Sequence, residues 1–310
     1  MIYVTVPGDT VSSISRQSGV PVWKILYDNQ LGEEGKLTVG QALLLLKPQE
    51  SAEIREDLYV TGYAYPFIEP YVLEMAFPAL NELLVFSYGF TFEGELVPPI
   101  QDETWMIQLA WENGIEPMLV LTPFTQGVFN NQLIQTLVEE ESVRENVITN
   151  LLKVVEEKGY VGVDVDFEYV RAQNREGYAE FVGELRAAMN EKGYRVSVAL
   201  APKTSSDQKG LLYEGIDYAL LGEQADRLFL MTYEWGYSYG PPMAVAPLTK
   251  VRQVVEYALT QIPAEKLLMG IPNYGYNWTI PYEKRRDKSR NHWKCRSYTA
   301  CGGIRCSDSV

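Results

Sequence analysis

The first 48 residues carry the hydrophobic and polar pattern of a small α/β unit. Residues 2–6 alternate with the period of a strand, and residues 42–46 form a second strand-like run. Two stretches of helical periodicity lie between them, and the first follows a turn in which Asp9 or Thr10 can cap a helix. The second predicted helix, residues 21–27, is expected to turn three side chains inward: Trp23, Ile25 and Leu26. The pattern predicts the order strand–helix–helix–strand.

Residues 49–57 are polar and acidic, as in a linker, and a regular alternation of apolar runs and amphipathic stretches follows them. Seven runs have the character of strands: residues 58–65, 83–90, 116–123, 161–169, 195–202, 227–233 and 267–274. The amphipathic stretches predict helices, notably residues 131–158, 175–192 and 248–262. Strands separated by helices pair in parallel through right-handed crossovers. The alternation therefore predicts an α/β chain with a (β/α)8 TIM-type barrel over residues 58–283, rather than a doubly wound sheet.

The N-terminal unit resembles the LysM fold. The resemblance rests on the strand–helix–helix–strand order, the Gly-Asp-Thr turn, Asn29 and the Gly-Gln pair before the last strand. It implies that residues 1–48 form a glycan-binding module. The glycan-binding residues that it implies are Gly8, Asp9, Thr10 and Asn29.

Composition narrows the chemistry and the partners. The formal net charge is −14, which argues against nucleic acid as a partner, because phosphate binding requires a basic surface. No apolar stretch approaches the roughly 18 residues of a membrane span, and the N-terminus lacks the basic start and apolar core of a signal peptide. Residues 1–294 contain no cysteine, and the single histidine is His292. A catalytic His or Cys is therefore not expected before residue 292, and carboxylates must do the chemistry.

The fourth strand-like run carries three acids at alternate positions: Asp164, Asp166 and Glu168. Successive side chains of a strand alternate between its faces, so these acids are expected on the inner face of the barrel. Four side chains are expected to pack under the helices: Val163, Val165, Phe167 and Tyr169. Like charges so close together inside a barrel do not all ionise, and one retained proton is what a general acid needs. A solvated strand face and a divalent metal site are the alternatives.

The sequence Asp-x-Asp-x-Glu after a glycine on a fourth barrel strand resembles the signature of glycoside hydrolase family 18. The family's usual pattern has a further Asp before the glycine, where this chain has Val161. The resemblance implies that Glu168 protonates the glycosidic oxygen. It also implies that Asp166 orients and charge-stabilises the substrate's acetamido group, which attacks the anomeric carbon, and that Asp164 supports Asp166 from below. No cofactor and no metal are implied.

A second element of the same family's pattern follows at the predicted sixth strand. Residues 231–235, Met-Thr-Tyr-Glu-Trp, resemble the family's Met-x-Tyr-acid segment, which implies that Tyr233 binds the acetamido carbonyl. The broader family often has Asp or Asn at the position of Glu234. Together with the aromatic-rich seventh-strand segment, this predicts the following substrate-binding residues: Met231, Glu234, Trp235, Asn273, Tyr274, Tyr276 and Trp278. A buried structural strand and ordinary aromatic packing are the alternatives.

Within the family, four segments resemble the spore cortex-lytic N-acetylglucosaminidases: residues 166–170, 231–237, 240–247 and 271–278. The resemblance implies peptidoglycan or cortex fragments as substrate. A protein without a signal peptide fits enzymes that are made in the mother-cell cytoplasm and packed into the spore cortex or coat. A monomer is expected. A chitinase and a catalytically silent sugar-binding barrel are the alternatives, and the presence of Glu168 favours an enzyme.

The composition changes abruptly over residues 284–310. This segment carries eight Lys or Arg residues and two Asp residues, together with all three cysteines. A zinc site from His292, Cys295, Cys301 and Cys306 is one interpretation, and a basic anchoring tail is another. The interpretation favoured here is an out-of-frame segment, because no strand-like run follows Trp278 to close the barrel. A chain of this kind is expected to be poorly stable and weakly active.

Overall fold

The computed structural model describes residues 2–29, 31–32, 34–46, 58–125, 128–237 and 240–276. The chain forms two compact units, one within Met1–Leu58 and one within Tyr59–Pro272. The first unit contains β1 (Ile2–Val4), α1 (Val11–Ser18), α2 (Val22–Asp28) and β2 (Ala42–Leu44). The two strands pair antiparallel, so the order predicted from the sequence is confirmed.

The helices of the first unit follow from local signals. Thr10 caps α1, because its side chain accepts a hydrogen bond from the backbone N–H of Ser13 while Ser13 accepts one in return. Helix α2 buries Ile25 completely. The prediction that Trp23 faces inward is wrong, since its side chain is 65% exposed. Two positions along a helix rotate a side chain by roughly 200°, so Trp23 points away from the face that Ile25 buries.

The second unit consists of strands and helices that follow one another along the chain. Its elements up to the fourth parallel strand are β3 (Thr61–Ala64), α3 (Pro70–Ala76), β4 (Glu82–Phe90), β5 (Leu96–Val97), α4 (Thr104–Glu112), β6 (Glu116–Leu121), β7 (Phe124–Thr125), β8 (Val128–Phe129), α5 (Asn131–Glu139), α6 (Glu141–Lys158) and β9 (Gly162–Val165). The remaining elements are α7 (Arg175–Asn190), β10 (Arg195–Leu200), α8 (Tyr218–Gln224), β11 (Arg227–Leu230), α9 (Leu248–Ala258) and β12 (Leu267–Met269). Short 3-10 turns occupy Phe77–Ala79, Ala172–Asn174 and Ala264–Lys266.

Seven of these strands form one parallel sheet in chain order: β3, β4, β6, β9, β10, β11 and β12. Each strand pairs with the next one along the chain, as expected for consecutive βα units of a TIM-type barrel. Helix α6 packs a stripe of buried apolar side chains against this sheet: Val143, Val147, Leu151 and Val155. No helix in the described ranges is long and apolar enough to cross a membrane. The predicted TIM-type fold is confirmed, with seven parallel strands in chain order among the described residues.

Two boundaries differ from the sequence predictions. The helix predicted over residues 131–158 is two helices, which meet at Glu140 in extended conformation. The fourth strand ends at Val165, and Tyr169 beyond it has a left-handed backbone with φ 59°. This conformation interrupts the alternation of side chains. Phe167 is buried as predicted, but Tyr169 is 40% exposed, so the prediction that it packs under the helices is wrong.

The amino ends of the barrel strands are joined by an ion-pair cluster that the sequence analysis did not identify. Glu82 is buried and pairs with the guanidinium of Arg195 at 3.1 Å. The same guanidinium contacts Glu116 at 2.5 Å, and the guanidinium of Arg227 lies over the ring of Tyr59. These residues start or precede strands. The cluster therefore fixes the end of the barrel opposite to the carboxyl ends, where barrel enzymes place their active sites.

Candidate active site

The carboxylate of Asp164 is held by hydroxyl groups from two other strands of the barrel. Asp164 is completely buried on β9. The hydroxyl of Tyr63 on β3 donates to its Oδ2 at 2.8 Å, and the hydroxyl of Ser197 on β10 donates to its Oδ1. Burial raises the pKa of Asp164, and these two hydrogen bonds oppose that rise. The sequence analysis did not identify Tyr63 or Ser197, because neither has a distinctive motif.

Asp166 lies just past the end of β9 and is 7% exposed. Its backbone N–H donates to the carbonyl of Leu121, which continues the β6 pairing. Its side-chain Oδ1 is buried and has no hydrogen-bond partner among the described residues. Burial raises the pKa of Asp166 well above its usual range, and the charges of Glu168 and Asp164 raise it further. These directions agree with the expectation that the row of acids retains a proton.

Glu168 follows at the carboxyl end of the fourth parallel strand and is half-buried. Burial, and after it the negative charge of Glu234, raise the pKa of Glu168 to about 7. Within the described ranges, the non-glycine residues with left-handed backbone are Tyr169 and Glu234, at φ 59° and 66°. Such conformations carry a cost and concentrate at functional sites. One of them adjoins Glu168 in sequence, and the other acts on it through its charge.

Tyr233 faces the same row of acids from beyond the end of β11. Burial raises the pKa of its hydroxyl, and the charges of Asp166 and Glu168 raise it further. The neighbouring Thr232 is buried and donates a hydrogen bond to the carbonyl of Gly270 at 2.7 Å, which ties the ends of β11 and β12 together. This tie holds the backbone on which Tyr233 is carried. The structure thus brings together the four residues for which a catalytic role was predicted.

The predicted substrate-binding residues divide into several groups. Glu234 is exposed, and its Oε1 accepts a hydrogen bond from the hydroxyl of Tyr276 at 3.1 Å. Met231 and Trp235 are half-buried, and Trp235 packs against the hydrophobic core. Asn273 is exposed and Tyr274 is half-buried. Two further predictions, Trp278 and the segment 284–310 with its conceivable zinc ligands, lie outside the described residues.

A row of six aromatic rings lines the carboxyl ends of the first four parallel strands. Ring centroids lie 4.6–6.2 Å apart along the row, which runs through Phe67, Tyr65, Phe86, Phe124, Phe129 and Tyr169. Burial, and after it the charge of Asp166, raise the pKa of Tyr65, the second ring of the row. The last ring, Tyr169, follows Glu168 in the sequence. Sequence analysis missed it, although the aromatic residues at or just after the ends of the first and third predicted strands, Tyr65 and Phe124, are a usable signal.

The divalent metal alternative receives no support from the side chains of the described ranges. No group of three or more His, Cys, Asp and Glu residues there is arranged to hold a metal ion. Asp164 instead accepts two hydroxyl hydrogen bonds, and Asp166 keeps one oxygen unpaired beside it.

The chain is similar in sequence and structure to several known proteins. A cortical fragment-lytic enzyme of Bacillus subtilis (strain 168) is 41% identical over 208 residues, which cover 67% of this chain and 48% of the relative. A putative sporulation-specific glycosylase, YdhD, of the same organism is 28% identical over 91% of this chain and 66% of its own length. The crystal structure of the Bacillus cereus spore cortex-lytic enzyme SleL superposes with a TM-score of 0.70 at 31% identity, covering 91% of this chain and 65% of that one.

Family profiles match part of each unit. The profile of the LysM domain matches residues 3–45, and the profile of glycosyl hydrolases family 18 matches residues 127–303, more than half of the chain. The chain spans between about half and two thirds of the length of the two curated relatives described above. The shared barrel, the position of the acids on its fourth strand and the profile matches agree, and the chain belongs to glycosyl hydrolase family 18, with a LysM domain preceding the barrel.

Proposed function

We propose that this chain hydrolyses N-acetylglucosamine linkages in peptidoglycan, as found in spore cortex fragments, with Glu168 as the general acid. One observation carries the proposal. Glu168 has a pKa of about 7 and stands at the carboxyl end of the fourth strand, above the buried Asp166 and Asp164. An acid that is still protonated near neutral pH can donate a proton to a leaving glycosidic oxygen.

In the proposed reaction each of the four residues has a separate role. The carbonyl oxygen of the substrate's acetamido group attacks the anomeric carbon while Glu168 gives its proton to the departing glycosidic oxygen, so one C–O bond forms as another breaks. The Tyr233 hydroxyl donates a hydrogen bond to the acetamido oxygen. The carboxylate of Glu168 then takes a proton from water while the water oxygen attacks the anomeric carbon. The ring C–O bond breaks, the acetamido group is restored, and the original configuration is retained.

Asp166 supplies the polar contact for the acetamido nitrogen. Its Oδ1 is buried without a hydrogen-bond partner among the described residues, and such an oxygen is costly until a donor arrives. The acetamido N–H is that donor. As positive charge develops on the acetamido-derived ring, it favours the ionised form of Asp166. Asp164, fixed by two hydroxyl groups, keeps Asp166 from moving deeper into the barrel.

The choice of glycan rests on the surroundings of the acids. The aromatic row from Phe67 to Tyr169 offers flat apolar faces beside Asp166 and Glu168, as sugar rings require. The LysM domain agrees with a polymeric substrate of the peptidoglycan or chitin type. Relatives named for cortex lysis and sporulation favour peptidoglycan and a place in the spore. Chitin presents the same acetamido group, so it is the second substrate to test.

The test is the release of reducing ends from soluble peptidoglycan fragments and from chitin oligomers. Glu168→Gln keeps the shape of the side chain without its proton, and we expect a loss of about 10²–10⁴-fold in rate with glycan binding retained. Glu256→Gln, on the exposed side of α9, is the matched control. A Glu168→Gln rate within a few-fold of the parent contradicts the assignment. Equal cleavage of de-acetylated glycan contradicts participation of the acetamido group.

A further inference from the structure

In the N-terminal unit, the residues of the predicted glycan-binding motif use their side chains internally. The amide nitrogen of Asn29 donates to the carbonyls of Ile25 and Leu44, at 2.9 and 2.8 Å. Its amide oxygen accepts from the backbone N–H of Leu44 at 2.6 Å. Both N–H groups of the amide are therefore in use, and its oxygen is also engaged. Asn29 joins helix α2 to strand β2, and little of its hydrogen-bonding capacity is left for a ligand.

The turn residues before α1 are engaged in a similar way. Asp9 accepts hydrogen bonds at one carboxylate oxygen from the backbone N–H of Val6 at 2.7 Å and from the hydroxyl of Tyr3 at 2.9 Å. The Thr10 hydroxyl oxygen accepts from the N–H of Ser13 as the helix cap. Gly8 supplies the left-handed turn, at φ 92°. The side chains of the motif therefore maintain the fold of the unit, and a ligand needs contacts with other groups.

Helix α2 presents two aromatic side chains that the unit does not bury. Trp23 and Tyr27 are each 65% exposed. They are four positions apart in one helix, so their side chains are neighbours on the same face, about 5–6 Å apart at Cβ. The core of the unit is completed without them by aliphatic residues from α1, α2 and β2, including Ile14, Ile25 and Leu43. Exposing two large rings forgoes burial energy, which is the usual mark of a binding surface.

The charges beside these rings cancel. Lys24, the residue after Trp23, pairs with Asp28 at 3.0 Å, and the pair is largely covered. The aromatic face thus has no unpaired charge from α2 beside it, which argues against an anionic ligand such as a phosphate-bearing surface. Neutral sugar rings place polarised C–H bonds on their flat faces, and these bonds interact favourably with the negative face of an aromatic ring.

We propose that Trp23 and Tyr27 form a stacking platform on α2 that binds a chain of N-acetylhexosamine units in the N-terminal domain. Successive sugars of the chain lie over the two rings, which are about one helical turn apart. The chemical class of this ligand rests on the proposed function, because the barrel is assigned the same polymer. The platform adds a contact that is separate from the turn containing Gly8 and Asp9. It increases the local concentration of insoluble glycan near the barrel without taking part in catalysis.

The experiment measures adsorption of the full chain to insoluble peptidoglycan sacculi and to insoluble chitin. Every variant carries Glu168→Gln, so that the glycan is not consumed during the measurement. We expect Trp23→Ala and Tyr27→Ala each to weaken adsorption about fivefold or more, and the double variant more than tenfold. Trp23→Phe, which keeps a ring, is expected to retain most of the adsorption. Val39→Ala removes another exposed apolar side chain of the same domain and is the matched control.

Several results would overturn the platform. These are adsorption of the double variant at the parent level, an equal loss for Val39→Ala, or a parent that does not adsorb to either glycan. A concentration-dependent dimer that only the double variant abolishes would instead assign the two rings to contact between copies. Cleavage of short soluble oligomers by the chain with intact Glu168 is measured separately. Lost adsorption with no cleavage supports the platform and rejects the proposed reaction, whereas cleavage with unchanged adsorption rejects the platform alone.

Discussion

Removing the charge of Glu234 is expected to lower the pH above which activity falls, called here the alkaline limit. Glu168 has a pKa of about 7 instead of 4.5, raised first by burial and second by Glu234. This difference means that ionising Glu168 costs about 3 kcal/mol more than in water. Burial contributes the larger part, so Glu234→Gln should lower the limit by about one pH unit at most. The amide keeps an oxygen that can accept the hydrogen bond of Tyr276, so the substitution changes mainly the charge.

The direction follows from the role of the acid. Glu168 works in its protonated form, so the rate falls as pH rises through about 7. Without the charge of Glu234, the carboxylate of Glu168 forms more easily, and the protonated fraction at alkaline pH decreases. We expect the ratio of the rate near pH 8 to the rate near pH 5 to be up to about tenfold lower for the variant than for the parent. The difference should shrink at high salt, because Glu234 is exposed and its charge is screened.

The assay is kcat/KM on a short soluble N-acetylglucosamine oligomer from about pH 5 to about pH 9, which reports the acid in the free enzyme. Glu256→Gln makes the same change of charge on the exposed side of α9 and should leave the profile unchanged. An identical alkaline limit for Glu234→Gln and the parent would show that this charge does not reach Glu168. If the alkaline limit of the parent lies near the usual pKa of glutamate, burial does not raise the pKa of Glu168.

Three further predictions follow from the same contacts. Because the folded-state pKa of Glu168 lies above the ordinary 4.5, the protein loses stability as pH rises from about 4.5 to about 7, so Glu168→Gln should resist urea better than the parent above pH 7. Gly215→Ala would place a Cβ against the backbone carbonyl of Val170, and we expect a loss of about 1–3 kcal/mol in thermal unfolding together with reduced activity. Asn29→Ala removes both links to the backbone of Leu44, and hydrogen exchange should show α2 opening about 1–2 kcal/mol more easily; unchanged exchange would contradict this.

The order of the barrel strands could be predicted because it depends on local periodicity. Each βα unit shows its own apolar run and amphipathic stretch, and the handedness of crossovers fixes the order of neighbours. The row of acids was recognisable for the same reason, since Asp164, Asp166 and Glu168 are close in sequence. The hydroxyl groups that hold Asp164 were not, because Tyr63 and Ser197 approach it only when three strands curl around the barrel interior. Contacts between residues 101 and 33 positions apart leave no periodic signal.

The two wrong side-chain predictions concern aromatic residues that the structure leaves exposed. Trp23 was assigned to the inner face of a predicted helix, and Tyr169 was assigned to the packed face by the alternation of side chains along a predicted strand. Trp23 is exposed because Ile25 occupies the inner face of α2. Tyr169 is exposed because its left-handed backbone turns the ring outward. Exposing such a ring forgoes about 1.5–3 kcal/mol of burial, and a left-handed tyrosine adds strain. Local rules tend to fail where function opposes stability. Both rings lie where the chain is proposed to bind glycan. Glycan binding therefore accounts for their exposure, which is not a defect of packing.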